Sequence, residues 1–163
     1  MCIVIDTNAI SSLLNPNASD HQEFQPILAW IDTHTAKIVY GGKKYKRELG
    51  KMPKYYAILV EMRRAGKVHE ADDVSVDRVE QEINQTTPAH RNFNDQAIVA
   101  IVIVSHCRLI CSKDRSSFPF LTSPTLYRPR HIKCPKIYRG SRNADLLYRR
   151  DILGHCGPCC IHT

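Results

Sequence analysis

A chain of 163 residues with 43% hydrophobic and 24% charged residues has the make-up of one globular domain, which excludes general disorder and leaves room for one real core. Its net charge of +7 is unevenly held: residues 1–107 carry 12 Lys and Arg against 13 Asp and Glu, whereas residues 108–163 carry 11 against 3. No apolar run reaches the roughly 20 residues of a membrane span and no signal-peptide pattern opens the chain, so a cytoplasmic protein with no membrane partner is expected.

Seven cysteines are an odd number, and Cys2, Cys107 and Cys111 fall inside apolar elements; they read as reduced core thiols. Cys2-Ile3-Val4-Ile5 is a short apolar strand that runs directly into Asp6. A helix over 8–14 stops near Asn15-Pro16, because proline disfavours helical geometry in the residue before it. The next helix, 21–32, places Phe24, Ile27, Leu28 and Ile31 on one stripe. Residues 37–40 form a second strand, and Gly41-Gly42 turns the chain into a helix carrying Glu48.

Pro53 suits the first turn of a helix whose body spans 56–65 and which Gly66 ends. A short strand over 67–69 and a helix over 75–85 follow, with Glu70, Asp72 and Asp73 read as solvated loop acids. Asn94 is an N-cap for a helix over 95–107 that has almost no polar face; its β-branched content argues for a strand, but its length and cap argue for a buried helix. Residues 109–111 form a strand that delivers Ser112 and Asp114 to the same sheet edge as Asp6. Beyond Phe118 four prolines punctuate a basic segment in which only 136–138 reads as a strand, and 143–153 reads as a last helix. The alternation of strands and helices predicts one α/β domain over 1–153, with a parallel sheet covered by helices on both faces, and a tail over 154–163.

Asp6, Glu48, Asp95 and Asp114 thus sit at strand ends or helix starts, and ligands bind at the C-terminal edge of open α/β sheets. Two carboxylates about 4 Å apart repel by roughly 4 kcal/mol at an effective dielectric of 20, so four together call for a cation. Mg²⁺ or Mn²⁺, which prefers oxygen ligands, suits the activation of water against a phosphodiester. Asn8 and Ser112 are the adjacent polar groups, and Lys43, Lys44, Lys46, Arg47, Lys113, Arg115, Arg128 and Arg130 are candidate contacts to the phosphates of a polyanion. The bland alternatives are single acids acting as helix caps and a basic face that is merely solvated. His90, His106 and His131 are left out of the site, because a metal-activated water needs no such base.

Taken in order, Ile5-Asp6-Thr7-Asn8, Glu48 in a basic helix, Asn94-Asp95 opening a buried helix and Ser112-Lys113-Asp114 after a strand resemble the four motifs of the PIN-domain nucleases, over about residues 1–139. The resemblance implies a three-layer α/β/α sandwich with a mostly parallel sheet, and Mg²⁺- or Mn²⁺-dependent endonuclease activity, usually on RNA. It also implies metal ligation by Asp6, Glu48, Asp95 and Asp114 with support from Asn8 and Ser112. Many small members are toxins of toxin–antitoxin pairs, so an antitoxin or other regulatory protein and a homodimer are implied partners, beside RNA or single-stranded DNA.

Three alternatives stand beside this reading. A catalytically silent nucleic-acid-binding or regulatory module, or a DNA-directed nuclease, would share the fold. Aspartyl-phosphate chemistry of the haloacid-dehalogenase type needs a second Asp where Asn8 stands. Cys156, Cys159, Cys160 and His162 have zinc-ligand chemistry, with His131 and Cys134 as remote additions, but a second ligand pair at the usual distance is missing.

Overall fold

The computed structural model describes residues 1–33, 35–88, 90, 91 and 93–153. Five strands form one sheet: β1 (Cys2–Ile5), β2 (Lys37–Tyr40), β3 (Val68–Glu70), β4 (Leu109–Cys111) and β5 (Lys136–Tyr138). Their order is β3-β2-β1-β4-β5 and every pairing is parallel. β1 is therefore central, and it is buried along its whole length because both faces are covered by helices. Ile3 pairs with Ile38 on one side, and Val4 pairs with Ile110 on the other.

The chain moves outward from β1 to β2 to β3 and then returns past β1 to β4 and β5. Right-handed crossovers put the outward connections on one face and the returning ones on the other, giving a three-layer α/β/α sandwich. The outward layer holds α1 (Thr7–Leu14), α2 (His21–Thr33), α3 (Lys43–Gly50) and α4 (Pro53–Arg64). The return layer holds α5 (Asp73–Thr86) and α6 (Gln96–Ser105), which pack on each other. The reversal of direction falls between β1 and β4, the topological switch point where an open α/β sheet leaves a crevice at its strand ends.

β1, β2, β4 and β5 lie where the sequence places them, and β3 is displaced by one residue from 67–69. α6 is a helix despite its β-branched content; Ala97 to Ile103 are all buried, so packing outweighs intrinsic propensity. Its N-cap is Asp95, not Asn94, and His106 ends it in the left-handed conformation at φ 55°. Four expectations need correction. Asp72 caps α5 through Ser75 N, and Asp73 lies inside that helix, where it accepts from Gly42 N at 2.8 Å. Glu70 and Asp73 both bind Lys46 Nζ, so these acids are structural partners and not free loop charges. The proline-rich segment forms α7 (Phe118–Leu121), α8 (Pro124–Tyr127) and a 3₁₀ turn, with proline in the first turn of each. The last helix is replaced by 3₁₀ structure over Ser141–Tyr148, non-helical at Asn143, and a single turn, α9 (Arg150–Leu153).

Among the cysteines, Cys107 and Cys111 are buried thiols outside any disulfide, as expected, whereas Cys2 is disulfide-bonded. Cys134 is a half-buried free thiol. The zinc-like set of Cys156, Cys159, Cys160 and His162 lies outside the described residues. No helix among those described is long and apolar enough to cross a membrane.

Candidate acidic site at the strand switch point

Asp6 leaves β1 and caps α1, so strand and helix together fix its backbone: its N–H donates to Cys111 O at 2.8 Å across the β1–β4 pair. Its carboxylate is only 2% exposed. Oδ1 accepts from Asn8 N at 3.3 Å, and Oδ2 accepts from Asn8 Nδ2 at 2.8 Å and from Ser112 Oγ at 2.7 Å. Asn8 is itself held by Lys113 N, which donates to its Oδ1 at 3.1 Å. Asn8 and Ser112 therefore support Asp6, as their positions in the sequence imply.

Those bonds favour the ionised carboxylate, yet burial outweighs them. With the field of Asp95, and a smaller one from Glu48, burial pushes Asp6 up from 3.8 to about 6. Asp95 is also raised, chiefly by burial, with Ser117 lowering it and Asp114 and Glu48 raising it. Asp6, Glu48, Asp95 and Asp114 are thus one electrostatic neighbourhood, brought together from four separate points of the chain.

Each acid beyond Asp6 also has a local holder. Thr7 Oγ1 donates to Glu48 Oε2 at 2.9 Å, tying α1 to α3. Asp114 Oδ1 accepts from Ser116 N at 2.9 Å and Ser116 Oγ at 2.6 Å. Ser117 is a hydrogen-bond partner of Asp95 and donates through Oγ to Asp114 O at 2.9 Å. Tyr45 lies beneath the site, fully buried, and donates to Ile5 O at 2.5 Å. Burial, followed by the nearby Asp6 and Glu48 charges, keeps its phenol far above its ordinary range and therefore neutral. Thr7, Tyr45, Ser116 and Ser117 escape a motif reading, although Ser two residues after Asp114 is a local turn signal that points to Ser116.

Hard oxygen donors, with the carboxyls of Asp6 and Asp95 held above their ordinary range, fit a divalent cation in chemistry. They are not a closed ligand set: among the described residues, no group of three or more His, Cys, Asp or Glu stands close enough to hold a metal ion. The local holders explain this, since they turn Glu48 to Thr7 and Asp114 to Ser116.

The basic residues divide in two. Lys44 Nζ donates to Asn94 O at 2.7 Å and lies 3.7 Å from Glu80, which places a cation beside Asp95. Lys46 is held by Glu70 and Asp73, so it is a structural cation and not a free phosphate contact. Lys43 meets Asp77, Lys113 meets Asp20 and Ser12, and Arg130 meets Glu82. Arg47, Arg115 and Arg128 are exposed. Arg115 opens onto three adjoining clefts of about 710, 500 and 200 Å³, the smallest reaching Ser112, the hydroxyl partner of Asp6.

The three histidines set aside on sequence grounds also stay apart. His90 stacks near Phe120 with ring centres 4.7 Å apart, and His106 and His131 occupy left-handed turns. No family model, no curated protein and no solved structure matches this chain, so the meaning of the site rests on its own residues.

Proposed function

We propose that this protein is a metal-dependent nuclease that hydrolyses phosphodiester bonds, with RNA as the expected substrate and the cytoplasm as its place of action. The observation that supports the reading is Asp6: a buried carboxylate at the strand switch point, raised to about 6 by burial and by Asp95 and Glu48. A structural acid of this kind ordinarily meets a cationic side chain, whereas the hydrogen bonds to Asp6 come from Asn8 and Ser112.

Bound Mg²⁺ or Mn²⁺ would supply Lewis acidity toward a phosphate and a more acidic water. Asp6, Glu48, Asp95 and Asp114 would hold it. Asn8 and Ser112 fix the direction of Asp6, Thr7 fixes that of Glu48, and Ser116 and Ser117 fix the loop carrying Asp114. Arg115, Arg47 and Arg128 are free to meet substrate phosphates, and Lys44 compensates part of the charge on Asp95. The PIN-like motif order agrees with this division of roles. A toxin neutralised by a partner protein is the biological setting that fits such a chain, and a homodimer belongs to the same picture.

The test is cleavage of end-labelled RNA and single-stranded DNA in EDTA, Mg²⁺ and Mn²⁺. The expected result is cutting only with metal and faster on RNA. A folded protein that cuts neither substrate in any metal overturns the reading.

Thr7 gives a narrower test. Thr7→Val removes the donor to Glu48 with little change of shape, and a hydrogen bond to a charged group is worth about 1.5–3 kcal/mol. Cleavage should fall about tenfold or more, most of it recovered in Thr7→Ser; equal activity in all three proteins would show that Glu48 needs no such holder.

A further inference from the structure

Beyond the acids, the C-terminal ends of β4 and β5 carry a second feature with its own construction. The loop after β5 is built rigidly: Asn143 Oδ1 accepts from Arg139 N at 3.1 Å, and Asn143 Nδ2 donates to Ile137 O at 2.8 Å. Glu23 Oε2 accepts from Ser141 N at 2.9 Å and Ser141 Oγ at 2.6 Å, and Tyr138 Oη donates to Glu23 O at 2.8 Å. Gly140 lies so close that a Cβ there would stand 2.8 Å from Glu23 Oε2, at a φ of 151° that side chains rarely adopt. Five hydrogen bonds and a glycine are thus spent on holding a loop whose exposed cations are Arg139 and Arg142.

Arg115 and Arg139 both line all three clefts, so the clefts adjoin and are taken together as one channel, with Ser112 in the lining of the smallest. Arg142 lines the middle one, where Glu23 is already occupied by Ser141. The largest part, about 710 Å³, lies within the roughly 300–1,000 Å³ of small-ligand sites. Its lining joins the cations Arg115, Lys136 and Arg139 to the apolar Phe118, Ile137 and Leu146, with Asp145 as its acidic member. Cations alone describe a phosphate track. Cations together with apolar side chains describe a nucleotide, its phosphate met by the former and its base by the latter.

We infer that this channel binds one unpaired nucleotide next to the phosphate presented to the acids, Arg115 and Arg139 taking its flanking phosphates and Phe118, Ile137 and Leu146 its base. The inference rests on the nuclease reading and narrows its substrate to single strands. A base inside a duplex is stacked and paired, and its face cannot reach a recessed wall. Phosphates of a single strand can follow the channel while one base turns in.

The test is binding, kept separate from cutting by working in EDTA. Fluorescence anisotropy is measured for a labelled 12-residue oligoribonucleotide, single-stranded and annealed to its complement. Wild type is compared with Arg115→Gln/Arg139→Gln and with Arg64→Gln/Arg78→Gln, a double variant of equal charge on α4 and α5. All replaced side chains are exposed, and circular dichroism verifies the fold.

The expected result is at least tenfold tighter binding of the single strand than of the duplex by wild type. Arg115→Gln/Arg139→Gln should lose about tenfold in affinity for the single strand, and its salt slope should fall by about 1.4 for two phosphates at about 0.7 each. The Arg64→Gln/Arg78→Gln protein should stay within about twofold of wild type. Equal losses in the two double variants, or equal affinity for both RNA forms, overturn the inference while metal-dependent cutting by wild type leaves the nuclease reading standing. Absence of any RNA binding by wild type overturns the inference, and absence of cutting in the metal assay as well overturns both.

Discussion

Asp6→Asn is expected to reduce metal-dependent cleavage by more than about a hundredfold, because residues one step further from a metal already cost 10–100-fold when replaced. The same substitution has a second, opposite signature. In EDTA, the folded protein holds the Asp6 carboxyl at about 6, whereas an unfolded chain holds it near 3.8. Between those values the folded state keeps a proton that the unfolded state has released. The stability linked to that proton is present below about pH 4 and is lost as pH rises through 6.

Asn cannot ionise, so the variant avoids the loss. The stability of Asp6→Asn relative to wild type should therefore rise between pH 4 and pH 7 by on the order of 2–3 kcal/mol, read from urea unfolding at each pH. Adding Mg²⁺ at pH 7 should narrow the gap, since a ligand that binds the native state stabilises it and the variant has lost a ligand group. A relative stability that does not change with pH would mean that Asp6 is not the strained acid described above. A dead enzyme that is more stable than the live one is the combined outcome that separates a functional acid from a structural one.

Gly41→Ala is expected to destabilise the fold markedly. A Cβ at Gly41 would stand 2.7 Å from the backbone oxygen of Ala71, whose N–H is bonded to Tyr40 O at 2.8 Å. Neither strand end can retreat without loosening the β2–β3 edge. Overpacking of this kind costs about 1–3 kcal/mol, a substantial share of the 5–15 kcal/mol of a typical domain. A fall in Tm of about 4–8 °C follows for about 2 kcal/mol in a chain of this size. Displacement of α3, which carries Tyr45 and Glu48, should lower cleavage as well. Gly50→Ala is the matched control: nothing lies within 4 Å of its Cβ, and alanine in a helix gains about 0.5–1 kcal/mol over glycine. Equal melting temperatures for the two variants would refute the close-approach argument.

The sequence is most legible where a single local force decides. β1, β2 and β4 are short apolar runs buried almost throughout, and nothing competes with that reading; β5, at the sheet edge, buries only Tyr138 fully. The end of α1 at Asn15 and the turn at Gly41-Gly42 are likewise decided by Pro16 and by glycine at φ 79°. Asp6, Asn8 and Ser112 were recoverable because the strands carrying them are. Legibility fails where the deciding partner is distant in the chain. Lys46 reads as a free cation until Glu70 and Asp73 are brought to it, and those acids read as solvated for the same reason. Residues 143–153 have helical periodicity, but the amide of Asn143 is drawn into bonds with Arg139 and Ile137 that a regular helix could not make. The short helices after Phe118 begin at prolines, which read as breakers when met singly and as first-turn residues once the fold is known.

The central place of β1 also governs when the acidic site can form. Asp6 precedes its hydroxyl partner, Ser112, by 106 positions in the chain. At about 5–20 residues per second, roughly 5–20 seconds of translation separate the two. Until β4 has emerged, β1 lacks the neighbour that completes the crevice, and Asp95 and Asp114 are absent or unplaced. A chain that still lacks β4 is thus without the assembled acidic site. On the nuclease activity proposed above, the topology of the sheet is itself a safeguard of the template from which the protein is being read.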